Sequence, residues 1–402
     1  MSELTQDVIS QFNTAWGRLV TPEQRVGLMV SGGSDSLALM HLARDMHDPA
    51  NLYVLTVNHG LRSEADAETE FVRDLANRLG LNCTILNVSV SDQGNLAANA
   101  RIARYAAAVD AAGSAAVDLL ATGHTRTDQA ETFLIRLARG SGVDGLSAME
   151  EQGDTNGFPL IRPLLGQSRE DLRSYLSEMS QDWIDDPSNE DPKYARVQFR
   201  QAKEILNELG LSEARLVETS AAMRRVRSAL DHYESELRQN CLTAHAFGCI
   251  DILAAPFWAA PEELQYRLLT SGMRWVTGET YRPRLNAVQR TLADLKQNRS
   301  ATLQGCLLIP KSDRFWVLRE PNAVKSGQPG LFDNRWLVDQ PVSQMTAGAL
   351  NQIDDWRDYN VPREAWLSLP VVLENGHLRS VPVHARFSDE AARLKRPVHD
   401  IN

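Results

Sequence analysis

Short β-branched apolar runs alternate with longer stretches of helical spacing over roughly the first 150 residues, a pattern of repeated strand–helix units. The runs are residues 26–30, 52–57, 83–88 and 118–122, and the helical stretches between them are 37–46, 65–79 and 97–112. Strands separated by helix-length segments pair in parallel through right-handed crossovers. The prediction is an α/β domain that binds its ligand at the carboxyl ends of the strands, where the loops gather.

From Arg162 onward the pattern changes. Ser168-x-x-Asp171 is a capping-box-like start for a helix through Met179, and a polar loop follows at residues 185–192. Residues 197–239 have the spacing of a long helix, and further helical stretches run to Asn298. Residues 306–319 alternate as a β-hairpin does, so the second domain is expected to be mostly helical with a small sheet. Past the turn signals of Gly327-Gln328-Pro329-Gly330 comes a weakly patterned tail, read as a small β-containing appendage.

Composition adds limits. The 402 residues exceed the ~250–300 at which one core stops growing, so two or three domains are expected. With 43% apolar and 23% charged residues, the chain can bury cores without disulfides or metal staples. Cys83, Cys241, Cys249 and Cys306 lie far apart with no C-x-x-C pair, which argues against a disulfide scaffold, a zinc ribbon or a cysteine-held cluster. The start, Met1-Ser2-Glu3-Leu4-Thr5-Gln6-Asp7, is acidic and polar where a signal peptide is basic and then apolar, and no window approaches ~18 unbroken apolar residues. A cytoplasmic protein with no membrane partner is the expectation.

The net charge of −10 is unevenly spread. Residues 1–200 hold 28 of the 52 acidic and 17 of the 42 basic side chains, leaving 24 and 25 for residues 201–402. The window 261–330 has 11 Lys and Arg against 6 Asp and Glu, so a polyanion-binding face is expected in the second half.

Two motifs carry the chemistry. Ser31-Gly32-Gly33-Ser34-Asp35-Ser36 sits between the first strand and the first helix of the repeat. Its glycines allow a tight turn and close approach to a phosphate, while N–H groups and the positive helix end face the anion. It lacks the Lys of G-x-x-x-x-G-K-[ST], so it is not the loop that grips β- and γ-phosphates for γ-transfer. Asp35 beside a phosphate cradle calls for an intervening cation, of which Mg²⁺ is the natural one. The second motif is Gly123-His124-Thr125-Arg126-Thr127-Asp128-Gln129-Ala130-Glu131-Thr132, continuing through Arg136-Leu137-Ala138-Arg139-Gly140-Ser141-Gly142 after the fourth strand. Asp128 and Glu131 share a helix face at i and i+3, with His124 just upstream. Two acids at a helix start also answer the helix dipole; next to a phosphate loop they form a recess for a cation.

The strand–SGGxDS–helix arrangement resembles the PP-loop ATP pyrophosphatase superfamily, which cleaves ATP between the α- and β-phosphates and transfers adenylate. Val57-Asn58-His59-Gly60-Leu61-Arg62, Ala100-Arg101-Ile102-Ala103-Arg104-Tyr105 and Trp183-Ile184-Asp185-Asp186-Pro187-Ser188-Asn189 join the two motifs to make a close resemblance to the tRNA(Ile)-lysidine synthetases over residues 25–205. The resemblance implies adenylation of the C2 position of the wobble cytidine in a CAU-anticodon isoleucine tRNA, followed by attack of free lysine to give lysidine, AMP and pyrophosphate. It implies that Ser31, Gly32, Gly33, Ser34, Asp35 and Ser36 bind ATP, with Asp35 on Mg²⁺. His124, Asp128 and Glu131 would meet cytosine and the lysine ammonium, and Arg101, Arg104, Arg196 and Arg200 would face phosphate or the base. The expected division is a catalytic PP-loop domain at 1–210, a mostly helical tRNA-binding domain at 211–325 and a β-containing module at 326–402; a homodimer stays open. The family places an Arg-Asn pair after its Asp-Pro-Ser-Asn loop, whereas here Val197 follows Arg196.

Residue chemistry agrees. The first lysine is Lys193, so the strand–helix repeat and its two motifs have no lysine nucleophile of their own and an amine is expected to come from outside. Free lysine, with an ε-amine pKa of about 10.4, arrives protonated, and paired carboxylates can hold it and help remove its proton. A single-stranded anticodon base can be splayed into a pocket without breaking a duplex. The rivals are weaker. A thiolating PP-loop enzyme uses reactive cysteines or a cluster, an amidotransferase-linked synthetase needs a glutaminase domain or partner, and a non-catalytic tRNA- or nucleotide-binding module has no need of Asp35, Asp128 and Glu131 together.

Overall fold

The computed structural model describes residues 2–60, 64–90, 94, 96–185, 193, 195–279, 281–325, 330–339, 341–382 and 392–394. The Leu61-Arg62 end of one motif, residues 186–189 of another and most of the tail beyond 382 lie outside these. The chain forms two compact units, Met1–Arg227 and Ser228–Asn402.

The first unit is built on a six-stranded sheet. Its strands are β1 (Val26–Met29), β2 (Leu52–Asn58), β3 (Asn82–Asn87), β4 (Leu119–Thr122), β5 (Gln152–Thr155) and β6 (Phe158–Ile161), in the order β3-β2-β1-β4-β6-β5. All neighbours pair in parallel except β5 with β6. The crossover helices are α2 (Ser34–Met46), α3 (Ala65–Arg78) and α4 (Leu96–Ser114), and α5 (Arg126–Ala138) follows β4. Leu28, Val54, Leu120 and Ala121 are fully buried, as expected of strands covered on both faces.

The chain runs outward from β1 to β3 and then returns to the other side of β1 for β4. The strand order therefore reverses between β1 and β4, and a crevice opens at their carboxyl ends. Met29 is paired with Thr122, so the two motifs, each starting just past its strand, emerge side by side.

Two further helices pack against α2 in this unit. The first, α1 (Glu3–Leu19), is absent from the sequence expectation; Ser2 caps it and it buries Val8, Phe12, Trp16 and Leu19 on one stripe. After α6 (Val143–Leu146), α7 (Arg169–Glu178) starts at the Ser168 cap and buries Leu172, Tyr175 and Leu176 in the same core as α1 and α2. The stretch read as one helix over 197–239 is instead α8 (Ala195–Gln201), α9 (Lys203–Glu208) and α10 (Glu213–Cys241). Gly210, at φ +79°, supplies the left-handed residue that ends α9, and the boundary between units falls inside α10 rather than at 210/211.

The second unit carries more sheet than its sequence pattern predicts. The hairpin of β10 (Cys306–Lys311) and β11 (Arg314–Arg319) matches the expected 306–319. It is extended by β7 (Leu242–His245), β8 (Cys249–Leu253) and β9 (Ala301–Leu303) into the antiparallel order β7-β8-β11-β10-β9. Helices α11 (Ala254–Ala259), α12 (Glu262–Thr277) and α13 (Leu285–Lys296) belong to the same unit, and α12 and α13 bury one face in its core. The tail is not a separate core: Trp336, Leu350 and Trp366 pack with Trp316, Leu318 and Cys249 of the sheet. Buried Asp333 accepts from both Arg319 and Arg335 at 2.8 Å, tying the tail to β11. Among the described residues no helix is long and apolar enough to cross a membrane.

Candidate active site

The loop after β1 turns into α2 at Gly33, and no side chain caps that helix, so its first N–H groups face outward. Ser36 Oγ accepts from the Ser31 N–H (3.1 Å) and donates to the Gly33 carbonyl (2.9 Å), which closes the loop on itself. Gly32 stands at φ +86°, and a Cβ there would lie 2.7 Å from Ile184 Cδ1. The Ile184 N–H donates to the Gly32 carbonyl (2.9 Å), so the segment before residue 186 braces the loop. Gly123 answers a different need: a Cβ on it would sit 2.8 Å from the Asp35 carbonyl oxygen, because the two motifs touch. An uncapped helix N-terminus behind a glycine turn is a cradle that fits the phosphates of ATP.

The second motif starts α5. Thr125 and Asp128 form a capping box, in which Asp128 Oδ2 accepts from the Thr125 N–H at 2.9 Å and lies 3.0 Å from the Thr125 hydroxyl. This fixes one oxygen of Asp128 and leaves Oδ1 facing α7. There the Arg169 guanidinium spans three acids: Asp35 Oδ2 at 2.8 Å, Asp128 Oδ1 at 3.2 Å and Glu131 Oε1 at 3.9 Å. Arg200 also pairs with Glu131 Oε1, at 2.9 Å. Glu131 Oε2 is buried and has no hydrogen-bond partner. An acceptor left open in this way is the mark of a site that expects a cation or a donor.

Electrostatics separate the acids. Burial raises the Asp35 carboxyl against the opposing pull of Arg169, and burial raises Glu131 against Arg200. Burial would raise Asp128 as well, but Arg169, the Thr125 N–H and His124 outweigh it and hold it below the ordinary carboxylate range. For Mg²⁺, no three His, Cys, Asp or Glu side chains among the described residues converge as a ready-made metal cluster. Asp35 alone beside the cradle suits an ion that takes its other ligands from phosphates and water, as Mg²⁺ does.

His124 Nδ1 lies 2.7 Å from the Thr122 hydroxyl. Burial pushes its imidazole down to about 4, with Arg162, Arg101 and Arg196 adding to that shift against Asp128. The ring is therefore neutral at pH 7 and only weakly basic. A lowered folded-state value means the unfolded chain takes up the proton first, so the stability contributed by the neutral ring is present above about pH 6.5 and is lost as pH falls toward 4. The unfolding free energy of the wild type, relative to His124→Gln, should drop by on the order of 2 kcal/mol between pH 7 and pH 4.5 in urea melts. A difference that stays flat with pH would show that the ring is not held neutral by its burial.

The structure thus brings Asp35, Asp128, Glu131 and Arg200 together and sets the Ser31–Ser36 loop and His124 beside them. The four predicted arginines divide. Arg101, exposed on α4, stacks over the Tyr105 ring at 4.9 Å, and Arg104, also exposed, acts on His59 at the end of β2. Arg196 is exposed on α8. Val197 is buried, so this chain places an apolar contact where the family pattern has Asn. Missed by the sequence reading are Arg162, Arg169 and Arg173. Arg173 donates to Ser34 Oγ (3.3 Å) and Asp185 Oδ1 (2.5 Å). The signal for the last two was the i, i+4 pair Arg169-x-x-x-Arg173 on a predicted helix in a stretch with no lysine before Lys193, which shows two cations on one face but not what they face.

A family model for the PP-loop domain matches residues 4–209. The tRNA(Ile)-lysidine synthase of Ruegeria pomeroyi is 38% identical over 98% of this chain and 96% of its own length. That of Wolbachia pipientis wMel is 33% identical, covering 89% of this chain and 88% of the relative. The one from the Wolbachia of Brugia malayi is 31% identical, covering 94% and 91%.

Proposed function

The chain belongs to the PP-loop family and, within it, to the tRNA(Ile)-lysidine synthases, and from that premise we propose that its site joins free L-lysine to C2 of the wobble cytidine of a CAU-anticodon isoleucine tRNA. The observation that carries the reading is the set Asp35, Asp128 and Glu131 gathered beside the phosphate loop, with Glu131 Oε2 buried and open.

In the first half-reaction the C2 carbonyl oxygen of cytosine bonds to the α-phosphorus of ATP and pyrophosphate leaves. The uncapped N-terminus of α2 and the Ser31–Ser36 loop hold the phosphates, and Arg173, already on Ser34, adds positive charge. Asp35 would hold Mg²⁺, which would supply positive charge against the leaving pyrophosphate. In the second half-reaction the lysine Nζ bonds to C2 and the C2–O bond breaks with loss of AMP. The ammonium docks on Asp128 and Glu131. Glu131, which burial raises, is the better placed of the two to take the proton that Nζ must lose, and neutral His124 adds no positive charge against the ammonium. The reaction belongs in the cytoplasm, where ATP, lysine and tRNA coexist.

Incubating the protein with ATP, Mg²⁺, radiolabelled lysine and this tRNA should move label into RNA and release AMP and pyrophosphate. Pyrophosphate release without label in RNA would sink the lysine assignment. A thiolating PP-loop enzyme is not favoured: the four cysteines are free, three of them are buried, and burial raises Cys83 to about 11, far from a reactive thiolate.

We assign the tRNA grip to residues 211–325, where Arg267, Arg274, Arg282, Arg284 and Arg290 are the candidate cations. Arg267 is 2% exposed and paired with Asp231 and Glu263, so it is removed from the set, and Arg274 is half-buried. Arg282, Arg284 and Arg290 are exposed. Reversing Arg284 and Arg290 to Glu should weaken tRNA binding by at least about tenfold and flatten log Kd against log salt by roughly 0.7–0.9 per lost phosphate contact. Filter binding over a salt series reads both. An unchanged slope would move the grip elsewhere, and ATP affinity should not respond.

A further inference from the structure

We propose, building on the lysine reading above, that Arg169 is a resident counter-ion that occupies the ammonium site of the ligand-free protein and leaves it when a nucleotide phosphate takes the guanidinium, so that lysine binds only after ATP. The argument is one of available atoms. Asp128 offers two oxygens; Oδ2 is committed to the N–H and hydroxyl of Thr125, and Oδ1 is held by Arg169 at 3.2 Å. Glu131 Oε1 is held by Arg200, with Arg169 3.9 Å away, and only its Oε2 is open. An incoming ammonium therefore finds one wholly open oxygen while Arg169 stays, and at Asp128 it meets an oxygen already bonded to a guanidinium. Charge gives the same answer: two guanidinium groups already face three carboxylates, so a third cation enters a site with about one uncompensated negative charge to share.

Arg169 also has somewhere to go. It opens α7, its Nε already reaches Asp35 in the first turn of α2, and one helical turn on Arg173 contacts Ser34 of the phosphate loop. Both side chains are directed at the cradle. A triphosphate there outcompetes a carboxylate for a planar guanidinium, because it offers bidentate oxygens with more charge. Moving from Asp128 to a phosphate releases Oδ1 and turns Asp128 and Glu131 into a pair facing the ammonium. Arg169 is thus a positioning residue: it acts on lysine through the carboxylates it covers and uncovers.

The test is calorimetric titration of L-lysine into the full-length protein, alone and with Mg²⁺ and α,β-methylene-ATP, which is not cleaved between the α- and β-phosphates. For the wild type, nucleotide should tighten lysine binding at least about tenfold, and by linkage lysine should tighten nucleotide by the same factor. In Arg169→Ala, lysine should bind without nucleotide about as tightly as it binds the wild type with it, and the coupling should shrink to within about twofold. Arg169→Lys keeps a cation at Asp128 without the fork and should retain part of the coupling. Arg173→Ala should weaken nucleotide while leaving the coupling factor intact. Equal lysine affinity with and without nucleotide in the wild type overturns the proposal, as does wild-type coupling in Arg169→Ala. Should Arg169→Ala fail to fold by circular dichroism, the wild-type and Arg169→Lys titrations decide alone. Lysine that binds the wild type under neither condition, while the nucleotide does bind, overturns the lysine reading itself.

Discussion

Replacing Asp35 by Asn should lower tRNA-dependent ATP–pyrophosphate exchange by about 10³-fold, because it removes a carboxylate that sits within the phosphate cradle itself. The side chain has two roles in the geometry. Oδ2 anchors Arg169 at 2.8 Å, and Oδ1 accepts from the Ser34 hydroxyl at 3.1 Å, so the carboxylate sits where the first turn of α2 meets the anion. An amide keeps the size but loses the charge needed to hold a divalent cation against the phosphates. The fold should tolerate the change, since burial already raises the Asp35 carboxyl and a neutral group relieves that penalty. Near-normal exchange in the substituted protein would restrict Asp35 to anchoring Arg169 and move the cation elsewhere.

Glu131→Gln should do something different. Adenylated tRNA should still form, and the lysine step should fail, with lysine KM raised by more than about tenfold and the AMP-linked RNA accumulating. The reason is the open Oε2: an amide there presents either an N–H donor or a neutral oxygen to an ammonium, and the charge that Arg200 leaves partly uncompensated is gone. Asp128→Asn is a less clean probe of the same step, because its Oδ2 belongs to the capping box of α5. Losing that cap should cost about 1 kcal/mol of stability in addition to any kinetic effect. Trapping the intermediate by quench and thin-layer separation distinguishes the half-reactions. Equal loss of both in Glu131→Gln would assign this carboxylate to ATP or the base.

The sequence carried the first unit well because its signals are local. The strand–helix alternation of residues 26–122 and the glycines of the phosphate loop are each written within a few neighbouring residues, and each appears in the structure where that spacing predicts. The same holds for Asp35, Asp128 and Glu131 as candidates, since a motif names its own residues. Less was legible where the pattern is diluted: α1 hides its stripe of Val8, Phe12, Trp16 and Leu19 among polar residues, and β7 and β8 are too short for periodicity to tell from helix.

What the sequence by itself determined, then, was a parallel α/β nucleotide-binding unit, its phosphate loop, the acids beside it and the family to which they belong. What only the tertiary structure decided was who faces those acids. Arg169 lies 134 residues from Asp35 along the chain, and Arg200 lies 69 from Glu131. Their meeting depends on α7 docking its apolar face against the α1–α2 core and on α8 lying beside α5. The tail's place in the second unit is likewise decided by Asp333 reaching Arg319 and by tryptophans filling one shared core. Local propensity reads backbone geometry over a few residues. Ion pairing and core sharing across a hundred residues are set by the packing of whole elements, which no local pattern encodes.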